Sequence, residues 1–325
     1  MTRDELQAVL DGKTKPVGSL GRLEDLAVRA GAVLGQGRPD ARASLTIFAA
    51  DHGIAAAGVS AFPAEVTAQM VANFLAGGAA ATVIAAALGV PVTVADCGVA
   101  TRVEGAVDMR LGAGTANAAE GPAMTPDQAE RAVAQGRAHG AADPAPLAAF
   151  GEMGIGNTAT AALLAHKLTG LPLADLVGRG TGLDEGGVAR KLEVLERAAA
   201  RTGDLSPMEA LAEVGGFEIG TMAGAMLGAA GAGRLVIVDG FIATAAALLA
   251  RALEPGCAAS MIHAHASAER GHAVLLEHLA ETPLLDLDMR LGEGTGALLA
   301  VPMVRAALAL FGMASFESAG VSGRA

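Results

Sequence analysis

The segment FGEMGIGNTATAALLAHKL, Phe150–Leu168, sets a carboxylate, a run of glycines and a cap residue within a few positions. It reads as a strand end, a glycine-rich loop and a helix. Gly154 and Gly156 let backbone approach a ligand closely, and Asn157 or Thr158 is placed to cap the helix. Free amides at such a helix start form an anion site for phosphate or carboxylate. The loop is not a Walker loop, because no GK[ST] follows. It is not GxGxxG either, because Thr160 stands where the third glycine belongs. A glycine turn with good capping gives the same pattern, so the segment alone names no ligand.

Other candidates are weaker one by one. RGTGLD, Arg179–Asp184, is a second glycine-rich turn, and the helix after it carries Arg190 and Lys191. A cation there meets a phosphate or carboxylate, or lies on a solvated face. LVIVDGFIATAAALLA, Leu235–Ala250, faintly resembles the signature of diphosphate-dependent phosphoribosyltransferases. Only Asp239 is present, Gly240 takes the second acidic place, and alanine replaces the glycine pair, so no magnesium-diphosphate site is expected. His263 and His265 fall on one face by strand alternation, yet no carboxylate or thiolate completes a ligand set. Hydrogen-bonded structural histidine is the default reading, and no metal is expected. Asp51-His52 is half a dyad without a GxSxG elbow. Glu317, in ASFESAGVS, reads from pattern alone as a solvated glutamate near a terminus. VDMRLGAGT, Val107–Thr115, recurs as LDMRLGEGT, Leu287–Thr295. The spacing is too long for a solenoid, and a duplicated structural turn is the expectation.

These residues need a scaffold. SLTIFAADHG (Ser44–Gly53), VPVTVADCG (Val90–Gly98), RLVIVDG (Arg234–Gly240) and AASMIHAHAS (Ala258–Ser267) read as buried strands. The first three end in an acid and then glycine. Helices follow, one starting near Pro63 with Val66, Met70 and Phe74 on one face, another capped at Thr125 with Pro126 and Gln128. Strand-helix alternation predicts a doubly wound α/β sheet, whose ligands bind outside the carboxyl ends of the strands. The Asp-Gly strand ends are therefore expected to line the site. Amphipathic helices at Ser19–Leu34, with Leu20, Leu23, Ala27, Ala30 and Leu34 inward, and near Gly296–Phe311, kinked at Pro302, are expected to meet as a small helical domain. The predicted division is 1–40 plus 296–325 for that domain and 41–295 for the large α/β domain.

Composition narrows the function. The 325 residues are 52% hydrophobic, with no Trp or Tyr and a net charge of −11. A nucleic-acid partner is not expected, since counterion release needs a cationic surface and single strands need stacking aromatics. Cys97 and Cys257 form no CxxC pair. The uncharged run Val71–Ala95 is broken at Gly77-Gly78 and at Gly89-Val90-Pro91, so it is read as a buried α/β unit rather than a membrane span. The N-terminus lacks a signal-peptide core, and a cytoplasmic location is expected.

Taken in order, the motifs resemble a known family. They include KPVGSLGRLE (Lys15–Glu24), ADHGIAAAGVSAFPAEVTAQMVANFLAGGAA (Ala50–Ala80), GEMGIGNTATAALL (Gly151–Leu164), GRGTGLD (Gly178–Asp184), GGFEIGTMAGAMLGAA (Gly215–Ala230), VDGFIATAAALLA (Val238–Ala250), DMRLGEGTGA (Asp288–Ala297) and FESAGVS (Phe316–Ser322). The chain is similar to the nicotinate-nucleotide–dimethylbenzimidazole phosphoribosyltransferases of cobalamin nucleotide-loop assembly. The resemblance implies a Rossmann-like doubly wound parallel sheet with a small helical domain built from both chain ends, in a homodimer. It implies nicotinate mononucleotide and a benzimidazole base as substrates, and no cofactor. It assigns a general base to Glu317, donor contacts to Glu152, Gly154 and Lys191, and the base pocket to Ser60, Gln69 and Met70; the glycine-loop reading adds Gly156 and Asn157 as substrate contacts. Three rivals stay open on the residues alone: a diphosphate-dependent phosphoribosyltransferase, an NAD(P) oxidoreductase and a non-enzymatic nucleotide-binding module.

Overall fold

Uniformly apolar runs become the centre of a parallel sheet. The computed structural model describes residues 1–36 and 41–322. Strands β1 (Ala43–Ala50), β2 (Val92–Gly98), β3 (Val107–Asp108), β4 (Leu147–Met153), β5 (Leu235–Val238) and β6 (Met261–His263) form one sheet in the order β3-β2-β1-β4-β5-β6. Every pairing is parallel. β7 (His265–Ala266) and β8 (Leu285–Asp286) form a separate parallel pair. The chain winds outward from β1 in one direction and from β4 in the other. The switch point, where ligand crevices form, therefore lies between β1 and β4.

The helices are α1 (Arg3–Asp11), α2 (Arg22–Leu34), α3 (Val66–Leu75), α4 (Ala80–Leu88), α5 (Pro126–Ala142), α6 (Asn157–Thr169), α7 (Leu173–Leu176), α8 (Glu185–Ala200), α9 (Pro207–Val214), α10 (Phe217–Gly231), α11 (Phe241–Leu253), α12 (Arg270–His278) and α13 (Thr295–Ala309). Alternation along the strands sorts the interior into two cores. Ala148, Phe150, Val236 and Val238 face a core shared with α5, α6, α10 and α11. Leu147, Ala149, Leu235 and Ile237 face the other, shared with α1, α2, α4 and α13. This is the expected doubly wound α/β architecture. The Thr125 cap forms as expected, with Gln128 completing the box and Pro126 in the first turn.

The two chain ends meet. α1, α2 and α13 pack together, Lys13 bridges to Ser315, and Lys15 pairs with Glu24 at 2.9 Å. Their apolar faces join the sheet core rather than enclosing one of their own. The expected boundary at residue 40 lies outside the described residues. α2 begins at Arg22, not Ser19, because Gly21 takes φ +52 and the Glu24 carboxylate accepts the Leu20 amide. Leu20 is consequently exposed.

Two other expectations change. α3 begins at Val66 rather than near Pro63; it buries Thr67, Val71 and Phe74, and half-buried Met70 packs against the same core. The α3–α4 unit is also less buried than expected: Leu75 and Val83 are exposed. Val66–Leu88 and Thr295–Gly312 are apolar enough by composition to suggest membrane spans. However, α3 and α4 hold only ten and nine residues and are separate helices, whereas a span needs ~20. α13 buries Leu298, Val301, Val304 and Leu308 in the core.

Candidate active site

The glycine-rich loop after β4 stands at the switch point. α6 begins there with Gly156 at its N-cap, φ +99, and no side chain caps it. Asn157 instead turns back, and its Nδ2 donates to Oε2 of Glu152. Gly154 is a packing requirement of the protein itself: a Cβ there would sit 2.3 Å from the Ala50 carbonyl and 3.1 Å from the His52 ring. That ring is buried, bonded through Nε2 to Glu218 at 2.8 Å and through Nδ1 to Thr160 at 3.0 Å.

A cavity of about 430 Å³ opens beside this loop, across the carboxyl ends of β4 and β5. Phe62, Val66 and Met70, around the start of α3, and Phe241 and Ile242, at the start of α11, give it apolar lining. Four carboxylates line the rest: Glu152, Asp239, Glu269 and Glu293. Gly180, Thr181 and Arg290 also line it. A second cavity of about 480 Å³ adjoins it through Glu269 and Arg290 and adds Arg179 and Arg270.

Crowded, buried carboxylates resist ionisation. Burial, reinforced by Asp239 and Glu218, pushes Glu152 up to about 8. Burial also raises Glu293, with a further push from Asp239 and an opposing bond to the Ala81 amide at the start of α4. Asp239 is raised by burial, against His265 and the α13 amides that favour its anion. Glu269 is raised by burial, and Lys191 opposes that rise. Lys191 is pushed down to about 8 by burial, with Glu269 opposing.

Glu293 sits in unusual backbone. Gly292, Glu293 and Gly294 take φ of +84, +62 and +83 in succession. A glutamate in the left-handed region is strained, and such strain persists only where surrounding structure fixes it. Two contacts do so here. Gly151 lets the Glu293 carbonyl approach β4, where a Cβ would lie 2.2 Å from it. Asp239 accepts the amides of Gly294 and Ala297.

The expected site residues separate into three groups. Glu152, Gly154, Asn157 and Met70 line the cavity. Three stand just outside its lining. Gly156 lies at the α6 N-cap, Ser60 bonds the lining residue Thr181 at 3.1 Å, and fully buried Lys191 donates to the lining residue Thr158 at 2.8 Å. Gln69 is exposed on α3, and Glu317 is exposed in the turns after α13; neither lines the cavity. Of the Asp-Gly strand ends only Asp239-Gly240 reaches it. Asp51 instead accepts the Ala100 amide, and Asp96 pairs with Arg110 at 2.6 Å. Among the described residues His263 and His265 share no ligand set: the His265 ring lies 3.8 Å from the Asp239 carboxylate, while neither ring nitrogen of His263, at the end of β6, has a hydrogen-bond partner.

Glu293 and Arg290 escaped the sequence reading. A signal for one of them was present. Across DMRLGxGT the two copies differ only at the variable position, which is Ala113 in the first and Glu293 in the second.

Comparison with known proteins adds an independent view. A family described as phosphoribosyltransferase matches residues 1–321. The chain is 53% identical to the nicotinate-nucleotide–dimethylbenzimidazole phosphoribosyltransferase of Cupriavidus necator, over 98% of this chain and 95% of that protein. It is 53% identical to the protein of the same name from Variovorax paradoxus, over 98% and 93%. The crystal structure of CobT from Thermus thermophilus superposes with a TM-score of 0.94 at 46% identity, covering 99% of each chain.

Proposed function

The chain belongs to the nicotinate-nucleotide–dimethylbenzimidazole phosphoribosyltransferase family, and we propose that it moves the 5-phosphoribosyl group of nicotinate mononucleotide to 5,6-dimethylbenzimidazole, with Glu293 as general base. The products are nicotinate and α-ribazole 5′-phosphate. The observation that carries the reading is the pairing of an apolar lining with buried carboxylates in one cleft. A flat apolar base and the donor's cationic pyridinium nitrogen need those opposite surroundings side by side.

The chemistry follows from the substrates. The donor's pyridinium nitrogen is cationic, so cleavage of its bond to C1′ returns the electron pair to the ring and releases neutral pyridine nitrogen. The ribosyl carbon gains oxocarbenium character as that bond loosens, and carboxylates nearby favour it. The lone pair of the benzimidazole forms the new bond to C1′. Its other ring nitrogen then becomes acidic, and a carboxylate must take that proton. Glu293 is suited to accept it, being 5% exposed and part of the cleft lining, with a raised pKa that makes it a stronger base. Glu317 is exposed and off the cavity lining, so the role expected of it passes to Glu293.

Phe62, Val66 and Met70 would sandwich the acceptor base, with Glu152 and Asn157 toward the transferring group. The phosphate would meet the Gly180–Thr181 turn and Arg290, with Lys191 held behind Thr158. Displacement is direct and inverts C1′. The exposed apolar side chains of α3 and α4 support a homodimer that covers them.

Incubating the protein with nicotinate mononucleotide and dimethylbenzimidazole tests the reading. Free nicotinate and an α-riboside should appear together, and turnover should persist in EDTA because the leaving group is already cationic. Absence of nicotinate release, or a β-configured product by NMR, would overturn it.

A further inference from the structure

We infer that Asp239, at the end of β5, is the positioning residue for Glu293, holding the loop that carries it through the backbone amides that follow. The inference rests on the proposed function for its kinetic consequence, but its geometry stands independently.

Asp239 is 2% exposed, and both of its oxygens are engaged. Oδ2 accepts the Gly294 amide at 3.1 Å, and Oδ1 accepts the Ala297 amide at 2.8 Å. These amides open α13, whose N-cap Gly294 has no side chain to offer. The cap therefore comes from the sheet, across 55 positions of sequence. A helix start satisfied this way is pinned to β5, and the three left-handed residues before it are pinned with it.

The first copy of the motif has no such carboxylate clamp. Its Thr115 amide donates to the main-chain carbonyl of Asp51, at 3.0 Å. Of the first copy's residues, only Gly114 has positive φ. Where no carboxylate must be presented, the backbone adopts the ordinary path.

Position and charge act together on Glu293. Glu152 faces it from β4 and Asp239 from β5, while Arg290 belongs to its own loop. The α4 N-terminus approaches through the Ala81 amide, and His265 of β7 stands behind Asp239. Glu218 of α10 acts on the neighbouring Glu152. Asp239 pushes both glutamates toward protonation, while Ala81 favours the Glu293 anion.

Asp239→Asn tests this. The amide keeps the shape and one acceptor, but its NH2 cannot accept from Gly294, and the charge is gone. We expect kcat to fall about 10²-fold, as displacements of a catalytic group do, with donor KM changing far less. The Glu293 carboxyl resonance should also titrate at lower pH than in wild type. It would be followed by 13C NMR in glutamate-labelled protein and assigned by its absence in Glu293→Gln. Loss of stability with an unmoved Glu293 titration and unaltered kcat would overturn the inference. If Asp239→Asn does not fold, Asp239→Ser, an uncharged cap residue, carries the same comparison. In wild type the Glu293 resonance should also show a second inflection as Asp239 titrates, and a single unperturbed inflection would count against the inference. Should Glu293→Gln prove fully active, the general-base reading fails while the titration still decides the role of Asp239.

Discussion

Residues 108–115 and 288–295 spell the same motif with one difference, and the protein uses them for opposite purposes. In the first copy Arg110 is consumed by structure. It bonds Asp96 at 2.6 Å and the Val99 carbonyl at 2.5 Å, and Leu111 is 7% exposed. The backbone follows the sheet: β3 pairs with β2, and the Met109 and Leu111 amides donate to Asp96 and Cys97 carbonyls. In the second copy Arg290 has no ion pair among the described residues and makes one long bond to the Gly180 carbonyl, at 3.4 Å. Leu291 is 57% exposed and lines the cleft. Identical side chains thus serve a sheet edge in one place and a cavity in the other. What differs is the position relative to the switch point and the residue at the variable position, Ala113 or Glu293.

The largest expected effect comes from erasing that difference. Glu293→Ala makes the second copy match the first, and kcat should fall about 10²–10⁴-fold, the usual worth of a positioned base. Steady-state kinetics with dimethylbenzimidazole would show it, and a loss under tenfold would mean the two copies differ in geometry alone.

The arginines sharpen the comparison next. Arg290→Ala should raise donor KM roughly 10-fold or more with stability unchanged, from loss of a charge-assisted contact to phosphate. Arg110→Ala should do the reverse. It leaves the buried Asp96 carboxylate short of a partner, costing about 1–3 kcal/mol of stability by denaturant unfolding, with donor KM unaltered. Interchanged outcomes would refute the division of labour.

A pH effect should follow from the crowded acids of the second region. Glu152 holds its proton up to about 8 when folded, well above its ordinary value near 4.5. Between those values the folded state binds more protons than the unfolded one. The stability this contributes is present in full at low pH and is lost as pH rises through the folded pKa. The melting temperature of the unliganded protein should therefore fall from pH 5 to pH 8, and the fall should be shallower in Glu152→Gln. Parallel curves for the two proteins would show that Glu152 ionises normally. The smallest effect belongs to Ala113→Glu, an exposed position outside the cavity lining: stability should stay within roughly 0.5 kcal/mol and turnover should not change.

Much of this scaffold was legible because strands buried on both faces leave continuous apolar runs. SLTIFAA and RLVIV became β1 and β5 for that reason. The GEMGIGN loop was legible too, since glycines and a following helix leave a recognisable mark. The cleft-lining role of Val66 was not. Val66 and Met70 give the cleft a lining as apolar as the core, so periodicity cannot tell the two apart. Lys191 looked like a phosphate contact or a surface lysine, yet it is 1% exposed and holds Thr158 from behind. Glu317 carried no pattern signal, and its assignment rested on resemblance alone. Asp239 was visible as an acid but not as a cap, because its partners lie 55 and 58 positions away.

The most direct test places two glutamates side by side. Glu293→Gln and Glu317→Gln both preserve size and hydrogen bonding while removing basicity. Single-turnover rates with nicotinate mononucleotide and dimethylbenzimidazole should fall at least about 10²-fold in Glu293→Gln and stay near wild type in Glu317→Gln. A slow Glu317→Gln enzyme beside a fast Glu293→Gln enzyme would contradict the account.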